Sequence, residues 1–289
     1  QAVFFLIKKS RIGRKMLPSL EDYTGLKKTM TSIHKTAIVS SNSKIDESVE
    51  IGAYSIIGAD VEIGKDTRID SHVMVTGKTK IGKSNHIYSY CSIGDDPQDK
   101  KYDNEDTEVE IGDRNTIREY TTINKGTTQD VGVTRLGNDN WIMAYVHIAH
   151  DCQVGNNTIF ANNTTLGGHV EVGDFVIFGG FSGAHQFCKI GAHSFLGMYS
   201  GVARDLPPYV IVMGQPAEPR GINLEGIKRR DFSKDQIRNI KSAYKALYMS
   251  NLGLEEATKV IENLGDINGE INILIDFLKN TTRGIVRKG

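Results

Sequence analysis

Three cysteines in 289 residues are too few for a disulfide scaffold. No apolar run approaches the roughly 20 residues that cross a bilayer, so no stable membrane insertion is expected. With 35 basic and 35 acidic side chains the formal net charge is zero, and there is no overall basic excess to draw nucleic acid. A secretory leader puts its charges before its apolar stretch. Here Ala2-Val3-Phe4-Phe5-Leu6-Ile7 comes first and Lys8, Lys9, Arg11, Arg14 and Lys15 follow. No export signal is read, and a cytoplasmic location is expected. Residues 1–29 share no pattern with the remainder, and Met30 would be a natural start. They are read as an extension or cloning remnant outside the fold.

What the chain does have is a period of six. Aliphatic residues recur at Ile45, Ile51, Ile57, Ile63, Ile69, Val75, Ile81, Ile87 and Ile93. The series returns at Ile111, Ile117 and Ile123, then runs from Leu136 to Val202. Often glycine follows, as in Ile51-Gly52, Ile63-Gly64 and Ile190-Gly191. That period suits neither an isolated helix nor an isolated strand. It suits a chain wound into a triangular prism, one short strand and one turn per hexad, three hexads per coil. The expected fold is mainly β, a left-handed parallel β-helix over residues 30–208. Its aliphatic residues should point inward, and the small residue after each should let the backbone turn a corner. Cys91, Cys152 and Cys188 each fall fifth in a hexad, a slot that elsewhere holds Val49, Thr67, Thr158 or Ser182. All three are therefore read as packed small residues.

The repeat breaks between Asp95 and Val109, and again between Asn124 and Arg135, where the register slips by one. Insertions in a solenoid leave its core and commonly build a binding surface. Both loops are candidates to reach a ligand or a neighbouring subunit, because flat prism faces favour a closed homotrimer with clefts between protomers. The repeat is expected to end at Asp205-Leu206-Pro207-Pro208, since proline removes ladder donors. Beyond it, residues 209–289 are read as a small α-helical domain. Ser233 and Gln236 form a capping box. The helix they open carries Ile237, Ile240, Ala243, Tyr244 and Leu247 on one face, and shorter helices follow near residues 254–264 and 271–278.

Five of eight histidines lie between positions 147 and 193. His150, His169 and His185 occupy hexads whose starts are eighteen apart, so they should share one prism face on successive coils, with His147 at the preceding corner. Position 150 should stack beneath Gly168. An imidazole beside an exposed peptide N–H could deprotonate a hydroxyl and hold the developing oxyanion. A zinc site using His147, His150 and His169, as in a metal-dependent hydratase, is the rival chemistry. A non-catalytic scaffold would leave the histidine cluster unexplained.

Three segments, His147-Ile148-Ala149-His150-Asp151-Cys152, Gly167-Gly168-His169-Val170 and His185-Gln186-Phe187-Cys188, resemble the UDP-N-acetylglucosamine O-acyltransferases of lipid A synthesis. So do Gln98-Asp99-Lys100-Lys101-Tyr102 and the stretch from Gly221 to Arg230. The resemblance covers Met30 to about Arg287. It implies transfer of a 3-hydroxyacyl chain from acyl carrier protein to the glucosamine 3-hydroxyl of UDP-N-acetylglucosamine, with no cofactor or metal. His150 would be the general base, Asp151 its support and the Gly168 amide the oxyanion donor. Gln98, Asp99, Lys101, His147, His169 and Gln186 would position the sugar nucleotide, and His185 would lie near the acyl or sugar groups. Asn223, Glu225 and Arg229 would contact its diphosphate end, for which an arginine fork is suited.

Met198 stands where relatives preferring long chains have glycine. Its side chain would fill space otherwise open to about four methylenes, so a donor nearer ten carbons than fourteen is expected. A related N-acyltransferase of the same pathway is the nearest alternative. Its relatives carry an extra globular domain before the prism, for which about thirty unpatterned residues are too few. Arg230, Lys234, Arg238, Lys241 and Lys245 offer a basic landing surface for an acidic carrier protein.

Overall fold

Each hexad contributes one short strand, and strands one coil apart hydrogen-bond in parallel, as Ile148 with Leu166 and Leu166 with Ala184. The computed structural model describes residues 33–287, so the expectation for residues 1–29 lies outside the described residues. Sheets of nine, eight and ten strands form the three faces of a left-handed parallel β-helix. The first face runs from Ile38–Val39 to Gly201–Val202. Its inward column of Ile57, Val75, Ile93, Ile123, Ile148, Leu166, Ala184 and Val202 is buried. Each full-sized aliphatic side chain so placed contributes ~1.5–3 kcal/mol. The column thins to Ala184 on the coil where the third face supplies Phe178. That ring stacks 4.5 Å from Phe160, so a large residue on one face is matched by a small one on the next.

The glycines after the aliphatic positions serve a different purpose from the one expected. The left-handed corner falls at the fourth residue of most hexads, and there it is not glycine: φ is 59° at Tyr54, 60° at Asp151 and 63° at His169. Glycine in the second slot is needed because adjacent coils approach closely. A Cβ on Gly52 would lie 2.6 Å from the Asp70 carbonyl carbon, and one on Gly64 would lie 2.9 Å from that of Gly82. At the corner preceding the first face, the rings of Tyr54, His72, Tyr90, Tyr120 and Tyr145 stack at 4.8–5.2 Å.

The fifth slot points inward and takes small groups. Cys91, Cys152 and Cys188 are free and buried there. Burial raises the Cys152 thiol to about 12, which makes it a packing group and no thiolate nucleophile. On the second-face side the same slot holds Asn85, Asn115 and Asn140. Each carboxamide oxygen accepts the backbone N–H of the next coil's residue at 2.8–2.9 Å, ending at Thr158. The amide nitrogens of Asn85 and Asn115 donate to the Gly112 and Gly137 carbonyls, which offsets their burial, whereas that of Asn140 has no partner among the described residues.

The parallel ladder does not stop at Pro208. Val210–Met213 still pairs in parallel with Phe195–Leu196, because both prolines fall in the turn before that strand. Glu218–Ile222 then folds back antiparallel on it. Four helices follow: α1 (Leu224–Lys228), α2 (Lys234–Tyr248), α3 (Leu254–Glu262) and α4 (Glu270–Lys279). The Ser233–Gln236 capping box opens α2, and Ile240, Ala243 and Leu247 face Ile261, Ile271 and Leu274 in a second core. The tail returns to the prism, where buried Asp205 accepts from Thr281, from the backbone of Thr282 and from Lys189 N.

Candidate active site

The site forms at the corner that follows the first face, beside the second loop. Asp151 occupies the left-handed corner of its coil with no solvent exposure. Its Oδ2 accepts the Nδ1–H of His150 at 2.9 Å and the hydroxyl of Thr127 at 2.7 Å. The Thr127 backbone N–H reaches both carboxylate oxygens at 3.0 and 3.1 Å. Burial pushes the carboxyl up, but the hydrogen bonds from His150 and Thr127 outweigh it and hold the group below its ordinary value. The backbone of Asp151 is fixed in turn by the Thr134 hydroxyl, 2.8 Å from its N–H.

The His150 ring lies against Gly168 on the next coil. A Cβ built there would fall 2.5 Å from Cε1 and 2.6 Å from Nε2, so no side chain fits at 168 while the imidazole holds this place. The Gly168 N–H makes no hydrogen bond among the described residues, whereas the N–H groups of Gly167 and His169 are both paired. His169 is in contact as well, its ring edge-on to His150 at 4.9 Å. Its Nδ1–H donates to Asp130 Oδ2 at 2.7 Å and lies 3.8 Å from Asp151 Oδ2. Phe187 stacks on its other side at 4.2 Å.

The remaining predicted residues are less closely gathered. His147 is not at a corner. It lies on the strand His147–Ile148, outward in register with Thr122 and Thr165, because the corner falls at Tyr145. Its Nδ1 pairs with Thr122 Oγ1 at 2.7 Å, and burial, with His150 adding repulsion, lowers its pKa. His185 does not align with His150 and His169. It is the second residue of its hexad, exposed, with Nδ1 on the Gln186 carbonyl at 3.2 Å. The third coil's contact with the cluster is Phe187 instead. Gln186 is exposed beside it.

Gln98, Asp99 and Lys101 lie on the first loop, where Asp99 Oδ1 accepts the Lys101 N–H at 3.0 Å. None of the three touches the imidazoles within one chain. The loop is tied to the second by Lys125, whose ammonium sits 3.1 Å from Asp96 and 5.1 Å over the Tyr102 ring.

Asn223 is engaged within the chain. It is buried as the N-cap of α1, accepting from Gly226 N at 3.1 Å and donating to the His193 carbonyl at 2.9 Å. Glu225 and Arg229 are exposed on that helix and its C-cap. Arg230 packs inward over Phe175 at 4.7 Å. Met198 is 60% exposed before the other corner of the first face. That is about three rungs, or ~14 Å, along the axis from His150. Between them the outward column reads Thr165, Gly183 and Gly201, with little side-chain bulk.

Sequence reasoning missed Thr127 and Asp130, since the second loop obeys no repeat. Its one signal was a register slip next to the histidine cluster. Among the described residues, the group able to ligate an ion is His150, Asp151 and His169, whose ligand atoms lie within 4.8 Å of one another. It does not include His147, which is engaged with Thr122.

A hexapeptide prism with an Asp–His pair set against a bare peptide N–H defines a transferase of the hexapeptide class. Residues 134–168 match the bacterial transferase hexapeptide model, and residues 205–286 match the second domain of UDP-N-acetylglucosamine O-acyltransferase. The acyl-[acyl-carrier-protein]–UDP-N-acetylglucosamine O-acyltransferase of Herminiimonas arsenicoxydans is 54% identical over 262 residues, 89% of this chain and 100% of the relative. The UDP-N-acetylglucosamine acyltransferase structure from Francisella novicida has a TM-score of 0.86 at 41% identity, covering 89% of this chain and 94% of that one. The corresponding structure from Moraxella catarrhalis has a TM-score of 0.85 at 44% identity, with 89% and 100% covered. The chain belongs to the UDP-N-acetylglucosamine O-acyltransferase family.

Proposed function

We propose that this enzyme transfers a 3-hydroxyacyl group from acyl carrier protein to the glucosamine 3-hydroxyl of UDP-N-acetylglucosamine, the first step of lipid A biosynthesis. The observation that carries the mechanism is the His150 imidazole, bound through Nδ1 to buried Asp151 and laid against Gly168. Because Asp151 takes the Nδ1–H, Nε2 keeps its lone pair for the hydroxyl proton. The sugar oxygen attacks the thioester carbonyl, and the oxyanion formed accepts from the Gly168 N–H. Collapse expels the carrier thiolate, which recovers the proton from His150. The step needs no covalent acyl-enzyme and no metal ion.

His147, His169, His185 and Gln186 orient the sugar nucleotide, His169 lying edge-on to the base. Gln98, Asp99 and Lys101 join them from a neighbouring protomer of a homotrimer, which accounts for their distance from the imidazoles within one chain. Glu225 and Arg229 face the diphosphate end, and Asn223 supports them by capping α1. The acyl chain runs past Gly183 toward Met198, giving a donor near ten carbons. Lys234, Arg238, Lys241 and Lys245 recur along one side of α2, a stripe suited to the acidic carrier protein. The reaction takes place in the cytoplasm.

Purified protein assayed against acyl-carrier thioesters of graded length, with UDP-N-acetylglucosamine as acceptor, tests the assignment. O-acylated sugar nucleotide with an optimum near ten carbons is expected, unchanged by a chelator. No product with any thioester refutes it.

A further inference from the structure

Two imidazoles stand beside one buried carboxylate. Nδ1 of His150 is 2.9 Å from Asp151 Oδ2, and Nδ1 of His169 is 3.8 Å from the same atom. That oxygen accepts from His150 and from the Thr127 hydroxyl, the Thr127 backbone N–H lying slightly closer to Oδ1, and an oxygen has about two lone pairs to offer. A second ring turning to it would displace the first. In this structure the contest is settled by Asp130 of the second loop, which takes the His169 Nδ1–H at 2.7 Å.

We infer that Asp130 is a positioning residue, which reserves Asp151 for His150 and fixes the tautomer of His169. The inference rests on the assignment of His150 as base. An ionised carboxylate only accepts, so the His169 proton sits on Nδ1. Phe187 covers one face of that ring and His150 crosses its other side. Nε2 is therefore its one polar atom without a partner among the described residues, and in the neutral ring it is an acceptor aimed by three fixed contacts. A single loop performs both tasks. Thr127 grips Asp151, and Asp130, three residues on, grips His169, its own N–H turned back on the Thr127 carbonyl at 3.4 Å. The Asp130 side chain is 40% exposed, so shortening it leaves no buried charge stranded.

The test uses the full chain labelled with 15N-histidine, with His169→Gln and His150→Ala identifying the two rings. Nδ1–H tautomers at both positions are expected in the wild type. Asp130→Ala is expected to lose the fixed tautomer at His169 and to perturb His150 as well. Its kcat/KM should fall about tenfold, mostly in kcat, with an unchanged melting temperature. Asp130→Glu should restore most of both signals and rate. Wild-type resonances and kcat/KM in Asp130→Ala would overturn the inference. A change at His169 that leaves His150 untouched would overturn the reservation of Asp151. Turnover surviving in His150→Ala would instead remove the base assignment, while the tautomer change in Asp130→Ala would still establish the pairing.

Discussion

His150 and Gly168 are in mutual contact across one turn of the prism, with Cε1 only 2.5 Å from where a Cβ at 168 would lie. Gly168→Ala must push the ring off the Asp151 axis or open the coil. A displacement of about an ångström costs on the order of 100-fold in rate. The expected result is a large fall in kcat with KM little changed, and wild-type turnover would argue against the contact's role.

His150→Ala removes the base outright. General-base contributions are about 10²–10⁴-fold, and the ring carries none of the prism core. Turnover should drop within that range while circular dichroism and the melting curve stay as in the wild type.

Thr127→Val keeps shape but deletes the hydroxyl 2.7 Å from Asp151 Oδ2. A buried carboxylate losing one donor costs about 1–3 kcal/mol. A lowered melting temperature and a reduced kcat should appear together. A normal melting temperature would show that the backbone N–H alone suffices.

Met198→Gly should lengthen the preferred donor. Each methylene that gains cover is worth ~0.8 kcal/mol, so up to about four of them would shift preference by roughly two orders of magnitude. Competition between ten- and fourteen-carbon thioesters reads the change directly, and an unaltered ratio would clear Met198 of the role.

His193 provides a pH test remote from the chemistry. Burial, with Arg230 adding repulsion, lowers its pKa to about 4. As pH falls from about 6.5, the unfolded chain takes up a proton there that the folded chain refuses until near 4. Folding stability therefore declines across that window, by up to about 3 kcal/mol, and levels below it. His193→Phe keeps the ring stacked between Phe175 and Tyr209 and should lessen the decline. Denaturant melts at pH 7, 5.5 and 4 measure it.

The prism was legible because one inward aliphatic per hexad is a strict steric demand, repeated on every coil. The contact of His150 with Gly168 followed from the same eighteen-residue arithmetic. Where that arithmetic was carried past its resolution it failed. His147 and His185 were placed by coil rather than by slot, and slot decides whether a side chain lies on a strand or at a corner. Thr127 and Asp130 were out of reach because an insertion's path is chosen by hydrogen bonds to residues far away in sequence, here Asp151 and His169. The capping role of Asn223 was out of reach for a related reason: α1 is only five residues long, too short to leave a periodic trace.

The reversal at Glu218–Ile222 also governs what the molecule cannot become. A stack of identical coils is in principle endless, since every terminal rung is a template for another. Here the final parallel rung of the third face is covered by a strand of opposite polarity, whose second residue, Pro219, lacks a donor. On that face no further parallel rung can follow directly, so one of the three edges from which the solenoid could grow is closed.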